Sequence, residues 1–290
     1  MDSTPAVSLA DQADFFKAVE RDDEDMVKYL VGEKGVEPSC LEFPKWHTPA
    51  HVAAENGNLH IIQYLVEKEP AVLKISDSYG FTIPYRAVES GHLDLVKYLT
   101  ENYNIQFSWG ISRMNGNNLI HVAAQFGHLD IVKYFVDEKR GDFNKVNKNK
   151  WPPLFFAAAN QHHDIVKYLT EKKYVNLTAV DSRKRNILYL CVPNDDLQLM
   201  KYILNVQKAE FEVNWKDELG DTVVHRAATL NSVFILKYLI VEKRADVNIP
   251  DRFGQTPLHV AVRWNHYQAC KYLLKYGADP EIRIKMAHDL

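Results

Sequence analysis

The stretch GHLDLVKYL, from Gly91 to Leu99, recurs almost unchanged as GHLDIVKYF, from Gly127 to Phe135. The two strings start 36 residues apart and differ at only two positions. Alignment on their tyrosine reveals eight copies, separated by 34 to 36 residues. The eight tyrosines are Tyr29, Tyr64, Tyr98, Tyr134, Tyr168, Tyr202, Tyr238 and Tyr272. A fixed period of this length predicts a chain built from tandem structural repeats.

A second motif stands thirteen residues before each tyrosine, from the second repeat onward. Its fullest form is TPLHVAV, from Thr256 to Val262. The threonine predicts a helix N-cap and the proline suits the first helical position. Between the two helices of each repeat, a turn position holds glycine or a polar residue that tolerates left-handed backbone. These turn residues are Asp22, Gly57, Gly91, Gly127, Gln161, Asp195, Asn231 and Asn265.

The TPLHxA pattern, repeated in register, resembles that of the ankyrin repeat family over about 270 residues. The resemblance implies an all-α solenoid of stacked helix-turn-helix units with short finger turns, the finger being the turn before each first helix. It also implies that the histidine of the motif hydrogen-bonds the turn backbone and the threonine hydroxyl. One helical hairpin cannot bury its own apolar face, so neighbouring units must stack.

We expect an N-terminal tail at residues 1–10, an ankyrin repeat domain at residues 11–280 and a C-terminal tail at residues 281–290. The expected repeats are 11–42, 43–76, 77–111, 112–146, 147–180, 181–216, 217–250 and 251–280. Repeats five and six depart most from the motif, because Phe155 replaces the histidine in repeat five and repeat six, RNILYLCVPND, lacks both the proline and the histidine. Pro193 is expected to shorten or kink the first helix of repeat six.

Chemical motifs are scarce in this sequence of 290 residues, whose formal net charge is −3. Eight of its twelve histidines fall at repeat positions, and none shows zinc-ligand spacing. Cys191 and Cys270 occupy apolar repeat positions and are predicted to be core thiols, whereas Cys40 lies in a loop. Phosphate-binding, dinucleotide and serine-nucleophile motifs are absent from the sequence. We therefore expect no catalysis, no metal and no cofactor.

Composition and hydropathy indicate the cellular compartment of the chain. Three widely separated cysteines favour a reducing compartment. No apolar run approaches the roughly 18 residues of a membrane span, and residues 1–12 lack the pattern of a secretory signal. We expect a cytoplasmic monomer, with the nucleus as the alternative compartment, that binds a protein or peptide and not a membrane.

The resemblance implies that a partner binds the concave face, at the finger tips and the exposed ends of the first helices. Aromatic and basic residues dominate binding hot spots, so those predicted to be exposed there are candidate contacts. Alternatively, some of them pack against a neighbouring finger. The candidates are Tyr79, Phe81, Phe126, Lys148, Lys150, Trp151, Arg183, Arg185, Phe253 and Trp264.

Charge is distributed unevenly along the chain. Residues 139–185 hold eleven basic and four acidic residues, whereas residues 1–69 hold six basic and fourteen acidic ones. The basic segment favours an acidic peptide as ligand, and the whole-chain charge disfavours nucleic acid. A scaffold or adaptor role follows. The alternative is a targeting or substrate-recognition module of a larger protein, or a microbial effector acting on host proteins.

Overall fold

The computed structural model describes residues 8–42, 44, 46–103, 115–206 and 211–284. These ranges contain sixteen α-helices, no extended strand and two isolated β-bridges. The chain divides into two compact units, residues 1–148 and residues 149–290. The predicted all-α ankyrin-repeat fold is confirmed.

The first unit contains helices α1 to α8, paired as four hairpins. The first helix of one repeat contacts the first helix of the next repeat. Second helices likewise contact second helices, so the first helices form one layer and the second helices form another. A short 3-10 turn, Pro70–Lys74, follows α4, and α8 continues into a π-helical turn, Tyr134–Glu138. The helices are α1 Leu9–Glu20, α2 Glu24–Gly32, α3 Pro49–Asn56, α4 Leu59–Lys68, α5 Ile83–Glu89, α6 Leu93–Asn102, α7 Leu119–Phe126 and α8 Leu129–Lys133.

The second unit repeats this layout with four more hairpins. Its first helices again contact one another, and so do α12, α14 and α16. Helix α14 continues into a second π-helical turn, Tyr238–Glu242. The helices are α9 Pro153–Ala159, α10 His163–Glu171, α11 Leu188–Cys191, α12 Leu197–Asn205, α13 Val223–Thr229, α14 Val233–Lys237, α15 Pro257–Arg263 and α16 Tyr267–Lys275.

Histidines of the TPLH motif hold the starts of the first helices. The Thr48 N–H donates to Nδ1 of His51 at 3.1 Å, and the Thr48 hydroxyl lies 2.8 Å from the same nitrogen. The opposite ring nitrogen, Nε2, donates to the carbonyl oxygen of Phe81 in the next finger at 3.1 Å. The structural role that the family resemblance implied for this histidine is confirmed. The same N–H to Nδ1 bond recurs at Asn118, Thr222 and Thr256.

The turns between paired helices adopt the predicted left-handed backbone. All three glycines have φ between 76° and 84°, and the five non-glycine residues have φ between 50° and 62°. Gly57 and Gly91 also make room for a neighbour, because a Cβ atom there would lie 2.5 Å from the ring of His92 or His128. Each ring reaches back one repeat, where Nε2 donates to the carbonyl oxygen of Glu55 or Glu89 at 2.9 or 2.8 Å.

Small residues fill the centre of each first helix from the second repeat onward. The residue two positions after each motif histidine position has no exposed surface, which lets neighbouring helices approach closely. These residues are Ala53, Ala87, Ala123, Ala157, Cys191, Ala227 and Ala261. Cys191 is therefore a core thiol, as predicted. The prediction for Cys270 is wrong in degree, since this residue is only half-buried.

Two of the repeat tyrosines, Tyr134 and Tyr238, are buried where the π-helical turns begin. Tyr134 donates or accepts a hydrogen bond with Thr100 of the preceding repeat at 2.6 Å. Its ring has Lys97 at 5.5 Å and Lys139 at 5.3 Å, so two ammonium groups flank one aromatic ring. Lys201 and Lys243 flank Tyr238 in the same way. Lys97 and Glu101 lie four residues apart in α6, but the Lys97 ammonium lies over the tyrosine ring of the next repeat instead of pairing with Glu101.

Repeat six has the shortest first helix among the described residues, since α11 spans four residues and ends before Pro193. This outcome agrees with the predicted effect of the proline. Tyr189 makes the contact with the next finger that the motif histidine makes in other repeats. Its hydroxyl donates to the carbonyl oxygen of Asp221 in the next finger at 2.5 Å and lies 2.9 Å from that of Trp215.

We expect repeats five and six to open more readily than repeats three and four. Helix α11 has a single turn, and α9 carries Phe155, which has no hydrogen-bonding group, at the position that His121 holds in α7 and Tyr85 in α5. Amide hydrogen exchange should therefore be at least about tenfold faster in α9 and α11 than in α5 and α7, which corresponds to about 1.4 kcal/mol of local stability. Equal protection across these four helices would contradict the prediction.

Candidate functional site

The fingers of the second unit share a turn built around an aspartate. The three aspartates are Asp181, Asp217 and Asp251. The Oδ1 atom of each accepts the backbone N–H groups of the residues two and four positions later, at 2.7 to 3.0 Å. Such side-chain bonds hold a turn in one conformation. The side chains at the finger tips are therefore displayed from an ordered backbone.

Successive fingers of this unit are joined by backbone hydrogen bonds. The N–H groups of Ser182, Glu218 and Arg252 each donate to a carbonyl oxygen of the preceding finger at 2.9 Å. The acceptors are Asn149, Arg183 and Leu219 respectively. The spacing between neighbouring finger tips is thus fixed by the main chain.

Two candidate arginines lie in the finger of repeat six (the sixth finger), and they make different contacts. Arg185 donates from Nε and Nη2 to Oδ2 of Asp181 at 2.8 and 2.6 Å, and that carboxylate is 1% exposed. Arg185 therefore neutralises a buried charge within its own finger. Arg183 uses only its backbone in the turn, and its side chain is exposed to solvent. Of the two, Arg183 is the better placed to contact another molecule.

Trp151 is half-buried, so the prediction of an exposed side chain is wrong. Its ring packs edge-on against Phe155 and Phe156, with centroids 6.1 and 5.2 Å apart. Its Nε1 atom donates to the Oδ2 atom of Asp181 at 3.4 Å. The tryptophan supports the sixth finger, with one edge left in solvent.

Other candidates are also partly packed. Phe81 is half-buried because its ring stacks on Tyr85 at 4.0 Å and lies beneath the guanidinium of Arg86 at 4.9 Å. Phe253 is half-buried as well, with Arg252 at 4.7 Å over its ring. Exposure was predicted for both, with packing beside a finger as the alternative, and the structure shows the alternative. Each ring packs against residues close to it in the chain.

The remaining candidates are exposed as predicted. Tyr79, Phe126 and Trp264 expose 60%, 40% and 58% of their surface. Lys148 and Lys150 are also exposed. Lys148 belongs to the first unit and Lys150 to the second. The basic residues grouped by the sequence prediction are therefore distributed over both units.

A groove of about 390 Å³ lies between the sixth and seventh fingers of the second unit. Sequence reasoning had singled out only Arg183 and Arg185 among the residues that line it. The full lining is Arg183, Arg185, Tyr189, Asp217, Glu218, Leu219, Asp221 and Arg226. Charged groups of both signs thus line one depression at the finger side of α13.

Burial shifts the pKa values of three charged side chains that line this groove. Desolvation raises the pKa of Asp221 to about 6, and the nearby carboxylates of Asp217 and Asp251 add to the rise. Desolvation also raises the pKa of Asp217, and it lowers the pKa of Arg226, where the charge of Arg185 acts in the same direction. Perturbed groups of this kind concentrate at functional sites.

Arg226 was missed because its position in the motif, directly after the histidine, was assigned no binding role. A signal was present in the sequence. The same position holds Val52, Val122, Phe156, Leu190 or Val260 in other repeats, and arginine only here and at Arg86. A charged residue at a position that is otherwise apolar indicates a local task.

Metal binding and thiol reactivity depend on how histidine, cysteine and acidic side chains are placed. Within the described residues, no group of three or more histidine, cysteine or acidic side chains is placed to hold a metal ion. Burial raises the pKa of the Cys40 thiol to about 12 and raises that of Cys191 as well, so both stay protonated at neutral pH. None of the helices in those same ranges is long and apolar enough to cross a membrane.

Comparison with known proteins adds two partial matches. The chain is 32% identical over 148 residues to alpha-latrocrustotoxin-Lt1a of Latrodectus tredecimguttatus, covering 47% of this chain and 10% of the toxin. It is 33% identical over 75 residues to 26S proteasome non-ATPase regulatory subunit 10 of Dictyostelium discoideum, covering 26% of this chain and 32% of the subunit. The matched regions thus span a third or less of either relative.

A family model describes the chain more completely. The model for ankyrin repeats in three copies matches residues 15–109, 103–181, 120–214 and 188–284. These matches cover the hairpins, the TPLH motifs and the fingers described above. Ankyrin repeats generally mediate protein–protein interaction and are typically non-catalytic. The chain belongs to the ankyrin repeat family.

Proposed function

We propose that the chain is a non-catalytic adaptor that binds a partner protein through the fingers and first-helix ends of its second unit. The observation that carries the proposal is the groove between the sixth and seventh fingers. Its main chain is held in place by aspartate turns and inter-finger bonds, while Arg183 and Leu219 remain exposed at the tips. An ordered backbone with exposed arginine and apolar side chains suits recognition, because little conformational freedom is lost on binding.

The proposal includes an intracellular setting. All three cysteines are unpaired in the structure, with Cys191 in the core. A monomeric adaptor in the cytoplasm is consistent with these features and with the expected peptide-binding role. The partner protein or peptide is proposed to be acidic where it meets the basic finger tips. Residues 149–185 carry seven basic and three acidic side chains.

The test compares two matched double variants in affinity capture with crosslinking. Arg183→Ala/Leu219→Ala removes one cation and one apolar side chain from the finger tips. Phe234→Ala/Lys237→Ala removes the same types from the exposed surface of the second helix α14. We expect the finger variant to lose at least about 90% of captured partner, since hot-spot losses exceed 1.4 kcal/mol. Loss in the α14 variant with retention in the finger variant would contradict the proposal.

A second candidate function is a recognition module within a larger protein. The segment that matches alpha-latrocrustotoxin-Lt1a makes up only 10% of that toxin, so a segment of this kind occurs within a much longer chain. Sequencing the full transcript tests this candidate. An in-frame extension that encodes a further domain would support it, and stop codons flanking this segment would reject it.

A further inference from the structure

Two arginines occupy the same place in repeats three and seven. Helix α5 has the sequence IPYRAVE and α13 has VVHRAAT, so Arg86 and Arg226 are each the fourth helical residue. Both are half-buried beside a finger. Their surroundings differ, and this difference indicates what repeat seven lacks.

Arg86 is enclosed by three carboxylates of the first unit. Its Nη2 donates to Oδ2 of Asp77 at 2.5 Å and its Nη1 donates to Oε2 of Glu89 at 2.7 Å. Its Nε lies 3.3 Å from Oε1 of Glu55, at the end of the preceding first helix. The chain thus neutralises a half-buried guanidinium at this position with its own acidic side chains, two of which accept hydrogen bonds from it.

Arg226 has lost this enclosure. Thr229 stands at the position of Glu89, and Pro193 stands at the position of Glu55. Asp217 keeps the place of Asp77, but within the described part of the chain Arg226 forms no ion pair and no side-chain hydrogen bond. The charge of Asp221 acts on Arg226 without a hydrogen bond or an ion pair between the two, so no hydrogen bond offsets the desolvation of this half-buried guanidinium.

The same groove also contains acidic groups, so a basic ligand is the competing possibility. Glu218 and Asp221 line it together with Asp217. Arg185 is already committed to Asp181, whereas Arg183 and Arg226 are not paired with any described carboxylate. The comparison with Arg86 favours an acidic ligand, since a carboxylate is what completes this position elsewhere in the same chain.

We propose that Arg226, together with Arg183, binds an aspartate or glutamate side chain of an acidic segment of the partner. This inference rests on the proposed adaptor function and assigns chemistry to its groove. The partner's carboxylate takes the place that Glu89 holds beside Arg86. Charge-assisted bonds from arginine to carboxylate are among the stronger hydrogen bonds in proteins.

The decisive variant restores the missing acid within the chain. Thr229→Glu places a carboxylate three residues after Arg226, as Glu89 follows Arg86. The probe is a fluorescein-labelled octapeptide of alternating Glu and Ala, titrated into the full chain by fluorescence anisotropy. We expect Thr229→Glu and Arg226→Gln each to weaken binding at least about tenfold, the value of one charge-assisted hydrogen bond.

Thr229→Gln is the matched control, because it has the same shape without the charge. It should bind the Glu/Ala peptide within about twofold of the unmodified chain, and thermal unfolding should be cooperative for all variants. Equal affinity of Thr229→Glu and the unmodified chain would overturn the inference. So would absence of binding by the unmodified chain, tighter binding of a Lys/Ala octapeptide, or equal binding of a duplex DNA of matched charge.

The two proposals fail in distinguishable ways. If Arg183→Ala/Leu219→Ala loses the captured partner but Thr229→Glu retains it, the adaptor function holds and the carboxylate site is wrong. If the peptide responds as expected while partner capture depends on α14 instead, the site is correct and the proposed docking face is wrong.

Discussion

Replacing Gly91 with alanine is expected to lower the free energy of unfolding of the first unit by about 3 kcal/mol. The residue has φ of 83°, where an alanine costs about 1–2 kcal/mol. The added Cβ would also lie 2.5 Å from Cε1 of His128. That ring cannot move aside without breaking the bond from Nε2 to the Glu89 carbonyl oxygen, worth about 1 kcal/mol.

Gly80 supplies the matched control for this substitution. Its φ of 80° is nearly the same, but no atom lies within 4 Å of the position that a Cβ would occupy. Gly80→Ala should therefore cost only the conformational part, about 1–2 kcal/mol. Urea unfolding followed by circular dichroism measures both variants. Equal losses for the two would show that the contact with His128 has no energetic importance.

Stability is expected to fall steeply between pH 6.5 and pH 4, because two buried histidines must stay neutral. His51 and His225 each use Nδ1 to accept a backbone N–H and Nε2 to donate to the next finger. Burial lowers the pKa of each to about 4 from the ordinary 6.5. The unfolded chain therefore binds protons in this window that the folded chain does not, and stability decreases as the pH falls.

Each of these histidines contributes about 3 kcal/mol of stability that is fully present above pH 6.5. Asp221 acts in the opposite direction, since its raised pKa of about 6 favours folding as the pH falls below that value. The comparison that isolates the histidines is the unmodified chain against His51→Gln/His225→Gln in urea titrations at pH 7, 6, 5 and 4.5. We expect the double variant to lose most of the pH dependence. An unchanged slope would contradict the assignment.

The features that follow from the local sequence were predicted well. The helix cap at Thr222 and the left-handed turns at Gly57 and Asn231 depend on a few adjacent residues. The types of these residues in the motif are enough to predict them. The repeat period then placed the hairpins in order. For the same reason, the sequence alone predicted that Pro193 shortens α11.

Features that depend on a neighbouring repeat were predicted less well. Trp151 was expected to be exposed, but it contacts Asp181, which holds the finger of the next repeat. Lys97 lies on a tyrosine of the next repeat, although a partner four residues away was available in its own helix. A binding role for Arg226 follows only from comparison with Arg86, which has carboxylate partners that Arg226 lacks. These contacts join residues about 30 to 40 positions apart, at distances that periodicity does not specify.

The histidine that rests on the preceding glycine turn has a consequence for how such chains can be recombined. His92 requires Gly57, and His128 requires Gly91, so the compatibility of two adjacent modules depends on one residue from each. Behind the non-glycine turn at Asn231 the imidazole of His266 bonds differently, because it uses Nδ1 instead of Nε2 and contacts the carbonyl oxygen of Ala228 at 3.0 Å. Duplication, deletion and laboratory shuffling should therefore preserve donor and recipient as a couple. The heritable unit is then the junction between two modules as much as the module itself.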